Sequence, residues 1–343
     1  MPPSSQAEPP RERTELSPTA RQFWIREPGF GEIVSRELGP RQEGEVLVRA
    51  RYSGISRGTE SLVFRGGVPT SQYEAMRAPF QEGDFPGPVK YGYASVGEVV
   101  EGSPETEGRV VFCLHPHQDL YHVPARAAVP LPDAVPPARA VLAANLETAL
   151  NATWDVEGVD AQEAVVIGGG VVGLLTAWLL QRDAGLDVTL FDIDRSRGPV
   201  ADALGIRFSD VSPAGADAGL VVHATGSEGG LRTALETAGT EGTILELSWF
   251  GDRSVSLPLG EAFHSRRLTV RSSQVGRIPP HRAEQWDHRR RLEAALALLV
   301  CDELDALISG ESRFEELPQT MAHLSRPDSG ALCHRVRYPN DQP

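Results

Sequence analysis

The run AVVIGGGVVGLLTAWLL sets Gly168, Gly170 and Gly173 between a short apolar stretch and a longer one. A strand that enters a glycine turn and leaves as a helix can be built in few ways. The first glycine permits the tight turn, the second lets backbone approach a pyrophosphate, and the third allows close packing of helix on strand. Val171 and Val172 open the helix, whose free N–H groups face an anion. The spacing also predicts an acidic residue about twenty positions on, at the end of the next strand. Asp192 closes VTLFD at that place. Its carboxylate would accept hydrogen bonds from ribose hydroxyls and repel a 2′-phosphate, which favours NAD. Arg195 and Arg197 follow and keep NADP possible. Glycines in such a region also mark ligand-free turns, but strand, helix and acid occurring together favour the nucleotide.

The residues around this turn fix the fold class. DVTLFDID, VADALG, AGLVVHATG, LRTALETAG and GTILELSWFG continue the alternation of strand and helix. Short links between them predict an α/β domain with a doubly wound parallel sheet. The front half differs. VLVRARYSGIS and ASVGEVVEG alternate apolar residues, and RVVFCL is a short buried run, so 21–144 reads as a β-barrel, with a sandwich as the alternative. Proline and glycine between 66 and 88 predict a long irregular excursion. After the sheet, RRRLEAALALLV reads as an amphipathic helix and CHRVRY as a last strand.

At 343 residues the chain has room for two domains. Its 33 basic against 47 acidic residues give a formal charge of −14, which argues against nucleic acid as a partner. The longest apolar run, 165–180, is interrupted by glycines and predicts no membrane span. Segment 1–20 lacks the apolar core of a signal peptide and reads as a disordered tail. Three scattered cysteines, Cys113, Cys301 and Cys333, make no disulfide framework, and cytoplasmic residence is expected.

The marks YSGISRGTE, GYASVGEVVEG, EGRVVFCLHPHQDLYHVPARAAVPLPD and LETALNA, with HATG and LELSWFG, span 21–338. Together they resemble the medium-chain dehydrogenase/reductase superfamily. GISRGTE and LHPHQD are most similar to the bacteriochlorophyllide dehydrogenase subgroup. The resemblance implies a GroES-like β-barrel catalytic domain from 21–144 and 277–343, with a Rossmann dinucleotide-binding domain at 145–276. It also implies an interdomain cleft for cofactor and small-molecule substrate, and a homodimer.

Zinc enzymes of this superfamily carry a cysteine in GIC, a His–Glu pair in GHE and a third ligand before the Rossmann domain. Here Ser56 stands at the cysteine, Tyr93 and Ala94 at the pair, and Ala144 at the third position. None is a good Zn²⁺ ligand, so a zinc-independent branch is expected, with no metal. His115, His117 and His122 in LHPHQDLYH leave three readings open: pocket or structural histidines, proton transfer, or a replacement metal site.

Hydride transfer without zinc needs hydrogen-bond donors at the substrate oxygen. By position, Tyr93, His115, Ser56 and Thr59 are the catalytic candidates, each with an ordinary packing or turn role as the alternative. The resemblance implies Arg57 at the pyrophosphate and Arg197 at the adenosine ribose. It puts Thr225 and Gly226 by the nicotinamide ribose, Ser248 and Trp249 at the strand end by the nicotinamide, and Ser273 and Gln274 by the carboxamide. Leu114 and His117 would line the substrate pocket. The expected activity is an NAD(P)-dependent oxidoreductase acting on an alcohol or ketone of a bulky biosynthetic intermediate. A C=C reductase and a non-catalytic dinucleotide-binding protein are the alternatives.

Overall fold

The structure, a computed structural model, describes residues 18–339. The expected tail at 1–20 lies outside them through residue 17, and a strand, Thr19–Glu27, already begins at its end.

Glu163–Ile167 enters the glycine turn and sits inside a six-stranded parallel sheet. Its neighbours are Asp187–Phe191 on one side and Ala218–His223 on the other. Arg207–Ser209 ends the first side, while Ala238–Glu246 and Thr269–Ser272 complete the second. Both faces of EAVVI are covered, so Ala164, Val165, Val166 and Ile167 are all buried. That explains a continuous apolar run in place of an alternating one. The chain winds outward in both directions from the central strand, so a crevice opens at the carboxyl ends of Glu163–Ile167 and Ala218–His223. Crevices of this kind bind ligands. Val171–Arg182 covers one face, and Ala143–Asp155 packs against it.

The second unit is mainly β, with the helices Arg57–Phe64 and Leu317–Leu324 packed on it. Glu45–Ser56 lies at its centre, paired antiparallel with Ser95–Glu101, Leu120–Pro124 and the late strand Cys333–Arg337. Ile308–Arg313 joins parallel to that last strand. A smaller sheet pairs Thr19–Glu27 with Phe30–Glu37 and Val89–Lys90, and Val89–Lys90 in turn with Glu82–Gly83. The expected excursion at 66–88 is irregular apart from the single turn Thr70–Gln72 and Glu82–Gly83. The amphipathic helix His288–Leu298 packs on Ala143–Asp155, and its Leu292, Ala295 and Leu296 share an apolar cluster with the Rossmann strands. A second cluster fills the barrel around Ile55, Val63, Val89 and Phe314. Each large apolar side chain buried in these clusters contributes roughly 1.5–3 kcal/mol.

Candidate active site

The glycine turn shows why two of its glycines are needed. Gly168 has φ +113°, and a Cβ there would lie 2.8 Å from the Ala224 carbonyl carbon. A Cβ on Gly173 would come within 2.0 Å of the Gly168 carbonyl oxygen, so only a glycine lets the helix seat against the strand end. Gly170, the N-cap, is different: a Cβ there would meet nothing within 4 Å. Open space in front of the free N–H groups of Val171 and Val172 is a cradle for an anion. The residues fit a dinucleotide.

Asp192 braces this turn. Its Oδ2 accepts from the Gly169 N–H at 2.6 Å and its Oδ1 from the Asp194 N–H at 2.8 Å. Each oxygen keeps a further lone pair for a ribose hydroxyl. Arg197 is buried over Gly169 and pairs with Asp194 at 3.3 Å. Arg195 is exposed and tied to Asp210. Arg57 comes from the barrel, and the Arg197 cation is close enough to disfavour its charge, second only to burial. Arg57 is held by the Leu324, Arg326 and Pro327 carbonyls. Two guanidiniums facing each other across the cleft suit the charge of a pyrophosphate.

Farther along the crevice, Gly226 N–H donates to Ser248 Oγ at 3.0 Å. Thr225 Oγ1 meets His223 Nε2 at 2.6 Å, and His223 Nδ1 meets Glu246 Oε2 at 2.7 Å. This His223–Glu246 pair was not anticipated; it ties together the ends of two neighbouring strands that carry predicted cofactor contacts. Ser273 Oγ donates to Asp155 Oδ2 at 2.6 Å, and Gln274 folds over Gly276. Trp249 and Tyr93 pack against the same barrel cluster, so the end of this strand meets the opposite wall. The two units also join where Asp252 N–H donates to the Gly67 carbonyl at 3.0 Å.

On the barrel wall, Ser56, Thr59 and Tyr93 do come together. Burial raises the Tyr93 phenol well above its ordinary value, and the Glu60 carboxylate raises it further; the adjacent Ser56 and Thr59 hydroxyls offset part of this. The phenol therefore stays protonated and can serve as a donor. Asn145 Nδ2 donates to Ser56 Oγ at 3.1 Å. Leu114 is half-buried against the core shared by the two units.

The histidines separate. His115 stacks on Tyr121 with ring centroids 3.7 Å apart, and its Nδ1 donates to the Pro116 carbonyl. Burial, then Lys90, pushes its pKa well below 6.5, so the ring is neutral at neutral pH. Among the described residues no hydrogen bond links it to Tyr93, Ser56 or Thr59. His117 is only 1% exposed, and both its nitrogens are engaged inside the barrel. It is a buried group rather than an open pocket wall. His122 is half-buried on the strand Leu120–Pro124, next to Tyr121 and on the opposite face from it. Among the described residues, no three His, Cys, Asp or Glu side chains are placed to hold a metal ion. Ser56, Tyr93 and Ala144 do not fit the zinc that the superfamily resemblance would bring.

The partner of His117 is Glu60, which sequence reasoning missed. A signal was present: in RGTESLVF the acid sits three and four positions before Val63 and Phe64, on the buried stripe of the helix Arg57–Phe64. A carboxylate on an apolar face implies a buried partner.

Residues 166–202 match the family of NAD(P)-binding Rossmann-like domains. A 2-desacetyl-2-hydroxyethyl bacteriochlorophyllide A dehydrogenase of Cereibacter sphaeroides is 36% identical over 73 residues, 20% of this chain and 19% of that one. The match thus spans about a fifth of the curated relative's length. Among solved structures, L-idonate 5-dehydrogenase from Escherichia coli superimposes with a TM-score of 0.74 at 14% identity, covering 93% of this chain and 98% of the other. TarJ of S. aureus in complex with NADPH does so with a TM-score of 0.70 at 17% identity, covering 94% and 99%. The chain has the fold of the medium-chain dehydrogenases, an NAD(P)-binding Rossmann-like domain joined to a GroES-like barrel.

Proposed function

We propose that the chain is a zinc-independent, NAD(P)-dependent oxidoreductase that interconverts an alcohol and a ketone on a bulky biosynthetic intermediate. The observation that carries this reading is the cluster of hydroxyls of Tyr93, Ser56 and Thr59, the first two at positions where the superfamily would place metal ligands. Bound nicotinamide would supply or accept the hydride. Tyr93, kept neutral by burial, would donate a hydrogen bond to the substrate oxygen, with Ser56 and Thr59 orienting the phenol. Preorganised donors of this kind contribute about 3–4 kcal/mol each at a developing oxyanion.

The cofactor contacts would be those of the glycine turn with Arg57, Asp192 and Arg197, then Thr225, Gly226, Ser248, Trp249, Ser273 and Gln274 toward the nicotinamide. Asp192 favours NAD. Bulk in the substrate fits the irregular 66–88 excursion and the bacteriochlorophyllide dehydrogenase likeness. The division into 21–144 with 277–343 and 145–276 fits the sheets, except that His288–Leu298 packs with the Rossmann unit. A homodimer would pair the exposed edge strand Thr269–Ser272, and the free cysteines suit the cytoplasm. No helix among the described residues is long and apolar enough to cross a membrane.

Three measurements test the reading. Fluorescence titration should give tighter binding of NADH than of NADPH; failure of both to bind removes it. Incubation of an enone with reduced cofactor should yield the allylic alcohol, whereas a saturated ketone would identify a C=C reductase. Metal analysis of untagged, active protein should find no stoichiometric zinc.

A further inference from the structure

The strands Ala218–His223 and Ala238–Glu246 run parallel, in a register that sets His223 beside Glu246 at the crevice. The His223 ring is fully buried, and the Glu246 side chain is 12% exposed. Glu246 accepts on both oxygens. Oε2 takes the imidazole Nδ1–H at 2.7 Å, and Oε1 takes the Ser248 N–H at 2.7 Å. A carboxylate at Nδ1 fixes the tautomer, so the neutral ring keeps its lone pair on Nε2. Thr225 donates to that lone pair across 2.6 Å. Thr225 Oγ1 in turn accepts the Ser227 N–H at 3.0 Å and lies 2.8 Å from Ser227 Oγ. Ser227 caps the helix Glu228–Thr237, its Oγ accepting the Gly230 N–H at 3.0 Å.

The direction of every hydrogen in this chain is therefore set from Glu246. Hydroxyl hydrogens point inward from Ser227 to Thr225 and from Thr225 to His223, which leaves Ser227 Oγ one unused lone pair. Ser248 has the opposite polarity. Its Oγ accepts the Gly226 N–H at 3.0 Å. The other nitrogen near it, His223 Nδ1 at 3.4 Å, carries the hydrogen given to Glu246 and offers no lone pair. Among the described residues no other group bonds to Ser248 Oγ, so its own hydrogen is unclaimed. Ser248 is half-buried and Ser227 exposed, and both can reach a ligand in the crevice.

We propose that Glu246 and His223 are positioning residues for a ribose diol, polarising the crevice so that Ser248 donates to one hydroxyl and Ser227 accepts from its neighbour. The diol is that of the ribose next to the nicotinamide, and the inference rests on the oxidoreductase reading above. A vicinal diol matches because each of its hydroxyls can give or take a hydrogen bond, and the two sit on adjacent carbons. Donor and acceptor here flank a single peptide, since the Gly226 N–H holds Ser248 and Ser227 is the next residue. The pair itself never touches the ligand. Packed apolar side chains would join two strand ends at less cost than buried polar ones. What only the carboxylate and the imidazole supply is direction, and burial keeps water from competing for it.

Glu246→Gln keeps the shape but adds a donor where only acceptors serve. If the amide N–H₂ faces Nδ1, the ring proton moves to Nε2 and the Thr225 hydrogen turns outward; if it faces the Ser248 N–H, it repels that loop. Calorimetric titration of the full chain with NADH and with ADP, which lacks the second ribose, separates this from general damage. NADH affinity should fall about tenfold, the size of one lost hydrogen bond. ADP affinity should hold within about twofold. Ser248→Ala removes the unclaimed hydrogen without touching the pair, and it should give the same split. Equal losses for NADH and ADP, or full NADH affinity in either variant, overturn the proposal. Imidazole ¹⁵N NMR reads the positioning role in the wild-type chain, whether or not the glutamine variant folds. Neutral His223 should carry its proton on Nδ1, and a wild-type ring protonated on Nε2 also overturns the proposal. A wild-type chain that binds neither NADH nor ADP instead defeats the oxidoreductase reading, and the diol assignment falls with it.

Discussion

The two walls of the cleft are made differently. The Rossmann wall presents backbone: a glycine turn, a helix N-terminus and a carboxylate that braces them within one stretch of chain. The barrel wall presents side chains brought from Ser53, Ser56, Glu60, Tyr93, His117 and Tyr338, which lie as much as 285 residues apart. Each wall also carries a buried histidine–glutamate pair, His223–Glu246 on one and His117–Glu60 on the other. A backbone site depends on shape and fails when atoms are added. A side-chain site depends on pairing and fails when a partner is removed.

Removing a partner has the larger effect. Glu60→Ala leaves His117 Nε2 and the Ser56 N–H without acceptors in a dry interior. Loss of one member of a buried pair typically costs about 3–5 kcal/mol. Chemical denaturation should show a loss of that size, while the remaining folded protein binds NADH within about twofold of wild type, because the mutation lies outside the glycine turn. Equal damage to NADH affinity would mean that the two walls are not separable. Adding an atom should do the converse. Gly173→Ala drives a methyl group onto the Gly168 carbonyl, a clash with backbone that must push helix from strand. Overpacking of this kind costs about 1–3 kcal/mol. Displacing the N–H groups should weaken NADH binding at least tenfold, or about 1.4 kcal/mol. Calorimetric titration would show it, and undiminished affinity would show that the anion is held elsewhere.

The same contrast explains what could be read from sequence. Gly168, Gly170, Gly173 and Asp192 are legible because the turn, the helix and the next strand follow one another, and local geometry dictates the residue types. Ser56, Thr59 and Tyr93 could be placed only by resemblance, and the structure gathers them. His117 was expected at the pocket and lies behind it, because a loop's path is not written in its composition. Glu60 stood unassigned between Thr59 and the apolar residues after it, since its partner is 57 residues away. Pairing across the barrel is set by register between distant strands, as where Ser53 faces Val336 two positions before Tyr338.

His115 gives the smallest effect and separates burial from pairing most finely. Among the described residues it has no carboxylate partner, and burial followed by Lys90 holds its pKa well below the ordinary 6.5. The unfolded chain binds a proton below pH 6.5 that the folded chain refuses. The contribution of His115 is therefore fully present above that pH and is lost as pH falls, by up to about 1.4 kcal/mol per pH unit. His334, also held low, adds to the same trend, so the difference between wild type and His115→Phe isolates one ring. The variant keeps an aromatic face for Tyr121 and has nothing to protonate. Its unfolding free energy should fall less steeply than that of wild type between pH 6.5 and about 5. Parallel slopes would mean that the ring accepts its proton in the folded state, which would restore His115 as a working acid opposite the cofactor.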